Sequence, residues 1–348
     1  MDISCYRKAN ESFRRRLVCR IGIDSGFFVE MNYMVNAMLY CLAHRIQFQL
    51  YSDDANFGTG VGWREYFQPF CEEVHESFHQ KYNFHRLPSW QHILKQCCSQ
   101  KSIKPFVWKV KKSVMTLVGR LVALGVYKER VLFAQYVPRK TKQWYYIPEL
   151  GIDADYTSAF AQVARMVWQL HPDIQRQKEI YQMKMSLPSV FSGVQIRGGD
   201  KITEAQLIDG KTIIQRLALH DGESLFVLTD DYRQFLKARA DFPRLRLFTL
   251  CQEDEMGYYH QQFCQEESIS KKNAIVRLII SVDLLLSSKA FVGSITTGPS
   301  VFIMKLRHHD SLVQAIDCSK STLPSALQLP IYARSIISRR NLQKFMEN

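Results

Sequence analysis

In the stretch Val194-Gln195-Ile196-Arg197-Gly198-Gly199-Asp200-Lys201-Ile202-Thr203-Glu204-Ala205, one guanidinium, a two-glycine elbow, one ammonium and two carboxylates fall within twelve residues. Arg197 presents a fixed fork of donors that suits a phosphate or pyrophosphate. Gly198 and Gly199 would let the backbone come close to such an anion. The hydroxyls of Ser294, Thr296 and Thr297, just ahead of a helix start, could complete its shell. The same residues also admit a local reading, in which Arg197 and Asp200 form an ion pair that closes a turn.

These groups need elements to bring them together, and the hydrophobic pattern supplies them. A strand ends at Arg197, and a helix can run from Glu204 toward His220. Leu225 to Leu228 reads as a strand running into Thr229-Asp230-Asp231, followed by a helix at Tyr232 to Ala240 and a strand at Leu245 to Leu250. A helix from about Asn273 to Leu286, a short strand ending at Gly293, a further helix and a last strand at Leu312 to Ile316 complete the run. Strands alternating with helices make a doubly wound parallel sheet. In such a sheet, loops at the carboxyl ends of the strands share one edge, so Arg197 to Glu204, Thr229 to Asp231 and Ser294 to Ser300 can converge on one ligand.

The first half repeats the pattern more loosely. Leu17 to Ile23 reads as a strand, Met31, Met34, Val35, Met38, Leu39 and Leu42 form one apolar helical stripe, and Ile46 to Tyr51 is a second strand. The segment from Trp63 to Leu187 is richer in aromatic and basic residues and reads as helical, with Asp153 and Asp155 as helix N-caps and Pro172 opening a further helix. The α/β architecture is therefore two Rossmann-like doubly wound halves around a central cleft. The boundaries are 1-187 for an N-terminal Rossmann-like domain with a helical middle segment, 188-325 for a C-terminal Rossmann domain, and 326-348 for a helical tail.

Composition narrows the class. The chain has 348 residues, 46% of them hydrophobic, enough for a large core. Lys and Arg number 46 against 33 Asp and Glu, a formal charge of +13, which suits phosphate, nucleic acid or a lipid headgroup surface. The nine cysteines carry no CxxC spacing and fit reduced thiols in a cytoplasmic protein better than a zinc site or disulfide framework. The N-terminus does not read as a secretory signal, and the most apolar stretches are broken by charge, so no bilayer-spanning segment is expected. The run Lys101 to Lys112 interleaves Phe106 and Trp108 with lysines. Aromatics so placed can stack bases, but no RNA- or DNA-binding motif accompanies them, and an edge packing its aromatics inward is the expectation.

The second half resembles the donor domain of the GT-B fucosyltransferases that use GDP-fucose, the group of the core α-1,6-fucosyltransferases and the rhizobial NodZ enzymes. That family's strand-end motif reads roughly HxRRxDK followed by TEA. Here Gln195 to Lys201 keeps the arginine, aspartate and lysine, and Thr203-Glu204-Ala205 follows one residue early. Leu228-Thr229-Asp230-Asp231 is similar to the next strand end, and Asp283 through Ser294 to the family's "D...LS..DF.V.T.SS" segment. The resemblance covers about Ser189 to Arg307, and the first half only through its Gly26-Phe27-Phe28 entry.

The resemblance implies a GT-B-like, inverting and metal-independent transferase moving L-fucose from GDP-fucose to a glycan hydroxyl, in α-1,6 or similar linkage. It needs no cofactor beyond the donor substrate. It gives Arg197 the β-phosphate, Glu204 the acceptor proton and Lys201, beside Asp200, the support of charge around that carboxylate. Gln195, Gly198, Gly199, Thr229, Asp230, Asp231, Asp283, Ser294, Thr296 and Thr297 would line the donor. Gln195 replaces the family's histidine and cannot carry its charge, and Asp283 stands one residue nearer Phe291 than the family's guanine-reading carboxylate. Gly26, Phe27, Phe28 and Asn32 would face the acceptor, an oligosaccharide or lipid-linked glycan. Arg334 to Arg340 could touch an anionic membrane from its cytoplasmic side. Transfer of another sugar, or a non-catalytic nucleotide or nucleic-acid binder, are the competing readings. A binder would need Arg197 but not Glu204.

Overall fold

The computed structural model describes residues 2–22, 25–82, 90–128, 131–134, 141–199 and 208–346. After α1 (Ile3–Glu11), β1 (Arg15–Arg20), α2 (Phe27–Ala43) and β2 (Ile46–Tyr51) form the expected strand-helix-strand unit, with β1 and β2 parallel in the register Leu17 to Phe48 and Cys19 to Leu50. Next come α3 (Phe78–Tyr82), α4 (Trp90–Gln100) and α5 (Lys104–Tyr127). Then β3 (Leu132–Ala134) adds to the far side of β1, giving the order β2-β1-β3. The middle segment is thus not only helical: it closes the first sheet, and it also holds an antiparallel pair, β4 (Tyr145–Ile147) and β5 (Ile152–Ala154). These strands are three residues each, too short to show a period of two.

Asp155 caps α6 (Tyr156–Val167), its carboxylate accepting the Ser158 N–H at 2.8 Å, and Pro172 opens α7 (Pro172–Met185). The second sheet follows with β6 (Ser192–Ile196), α8 (Gly210–Gln215), β7 (Ser224–Thr229), α9 (Tyr232–Asp241), β8 (Arg246–Phe248), α10 (His260–Gln265), α11 (Ser268–Leu286), β9 (Phe291–Gly293), α12 (Gly298–Leu306) and β10 (Val313–Ala315). Its order is β10-β9-β6-β7-β8, and all four neighbouring pairs are parallel. The order reverses between β6 and β9, the switch point at which open α/β sheets bind ligands. The tail forms α13 (Leu323–Ala326) and α14 (Ile331–Met346).

The two sheets meet through α2, α6 and α12. Phe28 packs on Phe302 and Trp168 with ring centroids 5.2 and 5.9 Å apart, and Trp168 lies 4.8 Å from Phe302. Gly298 is required here, because a Cβ would sit 2.9 Å from Phe28 Cβ. Lys305, almost fully buried, donates to Asn32 Oδ1 at 3.0 Å and lies 4.0 Å from the Phe160 ring centroid. A buried ammonium is tolerable only with such partners. Phe27 in turn packs on Phe57 and Phe67.

Three readings of the sequence differ from the observed burial. Phe27, Phe28 and Asn32 are buried in this junction, so they hold the halves together and do not face an acceptor; Gly26, the residue before α2, stays half-exposed. Phe106 and Trp108 do not pack inward: both are exposed on α5. The basic tail also differs from a free surface helix, since Arg334 and Ser338 of α14 are buried and Ser338 donates to Asp317.

Candidate functional site

The sheet places three of the polar loops side by side. β6 is central, β7 and β9 flank it, and their carboxyl ends lead into Arg197, Asp230 and Ser294 respectively. Arg197 Nη1 donates to Asp230 Oδ2 at 2.6 Å, and the guanidinium stands 5.1 Å from the Tyr258 ring centroid. This ion pair crosses between the neighbouring strands β6 and β7. Asp200, Lys201 and Glu204 lie outside the described residues.

Asp230 organises the β6 and β7 ends. Its carboxylate also accepts the Gly198 N–H and the Tyr258 N–H, both at 2.8 Å, while its carbonyl accepts Gly257 N–H. Tyr258 is thus held beside Arg197 by backbone contacts, and the segment around it belongs to the site as an ordered wall. Gly199 sets how close that wall comes. Its φ is +63°, and a Cβ there would lie 2.3 Å from the Tyr258 carbonyl oxygen, so both handedness and space demand glycine.

Asp231 has a different task. It accepts the N–H of Arg233 at 3.0 Å as the N-cap of α9, and pairs with the Arg233 guanidinium at 2.7 Å. That hydrogen bond holds its carboxyl below the ordinary range. Thr229 is buried and its hydroxyl bonds the Asp231 backbone, so both residues shape the turn.

The third loop is braced from two sides. Gln195 Oε1 accepts the Thr297 hydroxyl at 2.7 Å, the Ser300 N–H at 3.0 Å and the Ser300 hydroxyl, which ties β6 to the start of α12. Gln195 is therefore an internal brace that occupies its acceptor oxygen within the fold. From the other side, buried Asp317, just past β10, accepts Ser294 Oγ at 2.6 Å, Ile295 N–H at 2.9 Å and Ser338 Oγ at 2.7 Å. Ser294 and Thr296 share a 2.6 Å hydroxyl contact. Asp317 was not anticipated from sequence. Its position at the carboxyl end of the last strand, on the edge that carries the other loops, is the signal that could have found it.

The expectation that Asp283 reads a guanine base does not fit. Asp283 sits one turn from the end of α11, and its two carboxylate oxygens accept Trp168 Nε1 at 2.9 Å and Lys178 Nζ at 2.7 Å. The charge is spent on joining α11 to α7, as the cost of a half-buried carboxylate requires. A cavity of about 510 Å³ lies elsewhere, between α6 and the end of α12, lined by Ser158, Arg165, Leu306 and His308.

What this edge offers chemically is a guanidinium with five donors, next to a carboxylate that can orient it, a close-approaching backbone and a hydroxyl-rich helix start. Such a set can hold a diphosphate and neutralise charge that builds on it.

No protein-family model matches the chain, nor does any curated protein sequence. Solved structures do. The Bradyrhizobium fucosyltransferase NodZ is 11% identical, with 87% of this chain and 94% of that chain covered and a TM-score of 0.49. POFUT1 in complex with GDP is 12% identical, covering 87% of this chain and 98% of that chain at a TM-score of 0.46. Arabidopsis thaliana FUT1 in complex with GDP is 9% identical, covering 90% of this chain and 72% of that chain, with a TM-score of 0.52. The chain thus shares its overall α/β, GT-B-like fold with that plant structure.

Proposed function

We propose that the chain is an inverting, metal-independent glycosyltransferase that moves L-fucose from GDP-fucose to a glycan hydroxyl, in α-1,6 or a similar linkage. The observation that carries this reading is the position of Arg197 at the carboxyl end of the central strand, braced by Asp230, with the Ser294 to Thr297 loop across the switch point. The ordered motifs of the sequence and the fold shared with a GDP-bound structure support the same reading.

In this reading the bond between fucose C1 and the β-phosphate oxygen breaks as the acceptor oxygen attacks C1 from the opposite face. Arg197 meets the negative charge that GDP gains, a contribution that grows toward the transition state. Glu204 takes the acceptor proton, with Lys201 and Asp200 setting the charge around it. The acceptor would be an oligosaccharide or a lipid-linked glycan, reached from the cytoplasm. With Asp283 turned to Trp168 and Lys178, preference for guanine rests on the resemblance alone.

Calorimetry with GDP, UDP and ADP tests the donor reading. GDP is expected to bind in preference to the other two, and Arg197→Ala to weaken it by roughly thirtyfold or more, as for a lost charged partner of a diphosphate. Equal affinity for all three nucleotides would point to a different donor. GDP binding untouched by Arg197→Ala would remove the site.

A further inference from the structure

From the N-cap Ile103 along α5, the residues Ile103, Val107, Val110, Val114, Leu117, Leu121 and Leu124 recur at alternating spacings of four and three, and all are exposed. They form a single stripe about 30 Å long at the rise of an α-helix. The opposite side of the helix carries its buried positions, Lys109, Gly119 and Ala123, with Gly119 pressed on Tyr82. Among the described residues nothing covers the stripe. Exposed Leu94 and Trp90 of α4 widen it, and Trp90 lies 5.6 Å from Phe106 between ring centroids. Contiguous apolar surface of this extent marks a contact face.

Charge identifies what it contacts. Between Trp90 and Lys128 the chain carries Lys95, Lys101, Lys104, Lys109, Lys111, Lys112, Arg120 and Lys128 and no Asp or Glu. We propose that the α4–α5 face is a docking surface for an anionic lipid bilayer, on which α5 lies in the interfacial plane. Aliphatic side chains enter the acyl boundary, Trp90 and Phe106 sit at headgroup level, and Lys104, Lys111 and Arg120, which flank the stripe on α5, meet lipid phosphates. The helix does not cross: no described helix is long and apolar enough to span a membrane.

Two other occupants fit less well. The four-three spacing also suits a coiled coil, but a second copy would set Lys104, Lys111 and Arg120 beside their own equivalents with no acid to answer them. A nucleic acid would meet the lysines, yet a stripe of valines and leucines stacks no bases.

The test uses the full chain and sedimentation with vesicles of phosphatidylcholine alone or of equal parts phosphatidylcholine and phosphatidylserine. Binding is expected to the mixed vesicles only, to fall with added salt, and to drop about tenfold or more both in Leu117→Ser/Leu121→Ser and in Lys104→Glu/Lys111→Glu. These side chains are exposed, so the thermal midpoint of each variant should match the parent. Absence of sedimentation with mixed vesicles overturns the proposal. So does equal binding to neutral vesicles, or a concentration-dependent dimer that Leu117→Ser/Leu121→Ser abolishes. Nucleotide binding is read separately, so either account can fail alone.

Discussion

Asp230 and Asp317 show how single carboxylates can shape a site without being its reactive groups. Each accepts from several donors on different loops, and Asp317 does so while almost wholly buried. Removing such a hub strands its donors, and the cost is their desolvation as well as the lost bonds. Asp317→Ala is expected to destabilise the fold by about 3 kcal/mol, read as a lower denaturant midpoint, and to weaken nucleotide binding through the freed Ser294 to Thr297 loop. Unchanged stability would mean that Ser294, Ile295 and Ser338 find other acceptors. The sequence made Arg197 stand out because a guanidinium after a strand and before two glycines has few conformational reasons to exist. Asp317 stayed hidden because its partners lie 22 and 21 residues away and follow no pattern. Asp283 misled for the opposite reason: the motif placed it, but Trp168 and Lys178, 115 and 105 residues distant, claimed its charge.

At the scale of elements, α3 is joined to β1 and α5 through His79. The Arg20 guanidinium donates to His79 Nδ1 at 3.1 Å, His79 Nε2 meets Tyr127 Oη at 2.7 Å, and that hydroxyl donates to Glu76 at 2.8 Å. Nδ1 must accept, so Nε2 holds the proton and the ring is neutral. Burial first, and Arg20 second, lower its pKa from 6.5 to about 3. The unfolded chain therefore takes up a proton that the folded one refuses as pH falls below about 6.5. Stability from this group is complete above that value and declines toward pH 3 with a slope of at most about 1.4 kcal/mol per pH unit. Chemical denaturation across this window should show His79→Gln less stable near neutrality and with a shallower loss in acid. An identical acid slope in the variant would refute a neutral His79. Long parallel elements such as β1, α2, β2 and α11 were legible because their apolar periods run over many residues. β3, β4 and β5 were not, since three residues carry no period and their pairing is fixed by distant strands.

At the scale of the whole molecule, two parallel sheets are joined through a buried junction of α2, α6 and α12, and the polar loops of the second sheet gather at its switch point. The apolar and basic face of α5 belongs to the first sheet's side, so donor chemistry and membrane contact occupy separate parts of one chain. Their separation lets each be removed without the other. In the proposed reaction Arg197 grips the departing diphosphate while Glu204 accepts the acceptor proton. GDP release from GDP-fucose in the presence of a glycan panel, compared between the parent chain and Glu204→Gln, measures this directly. Glu204→Gln is expected to bind GDP as the parent does and to lose turnover by about a hundredfold or more. Full turnover in Glu204→Gln, or no release by the parent with any acceptor, would contradict it.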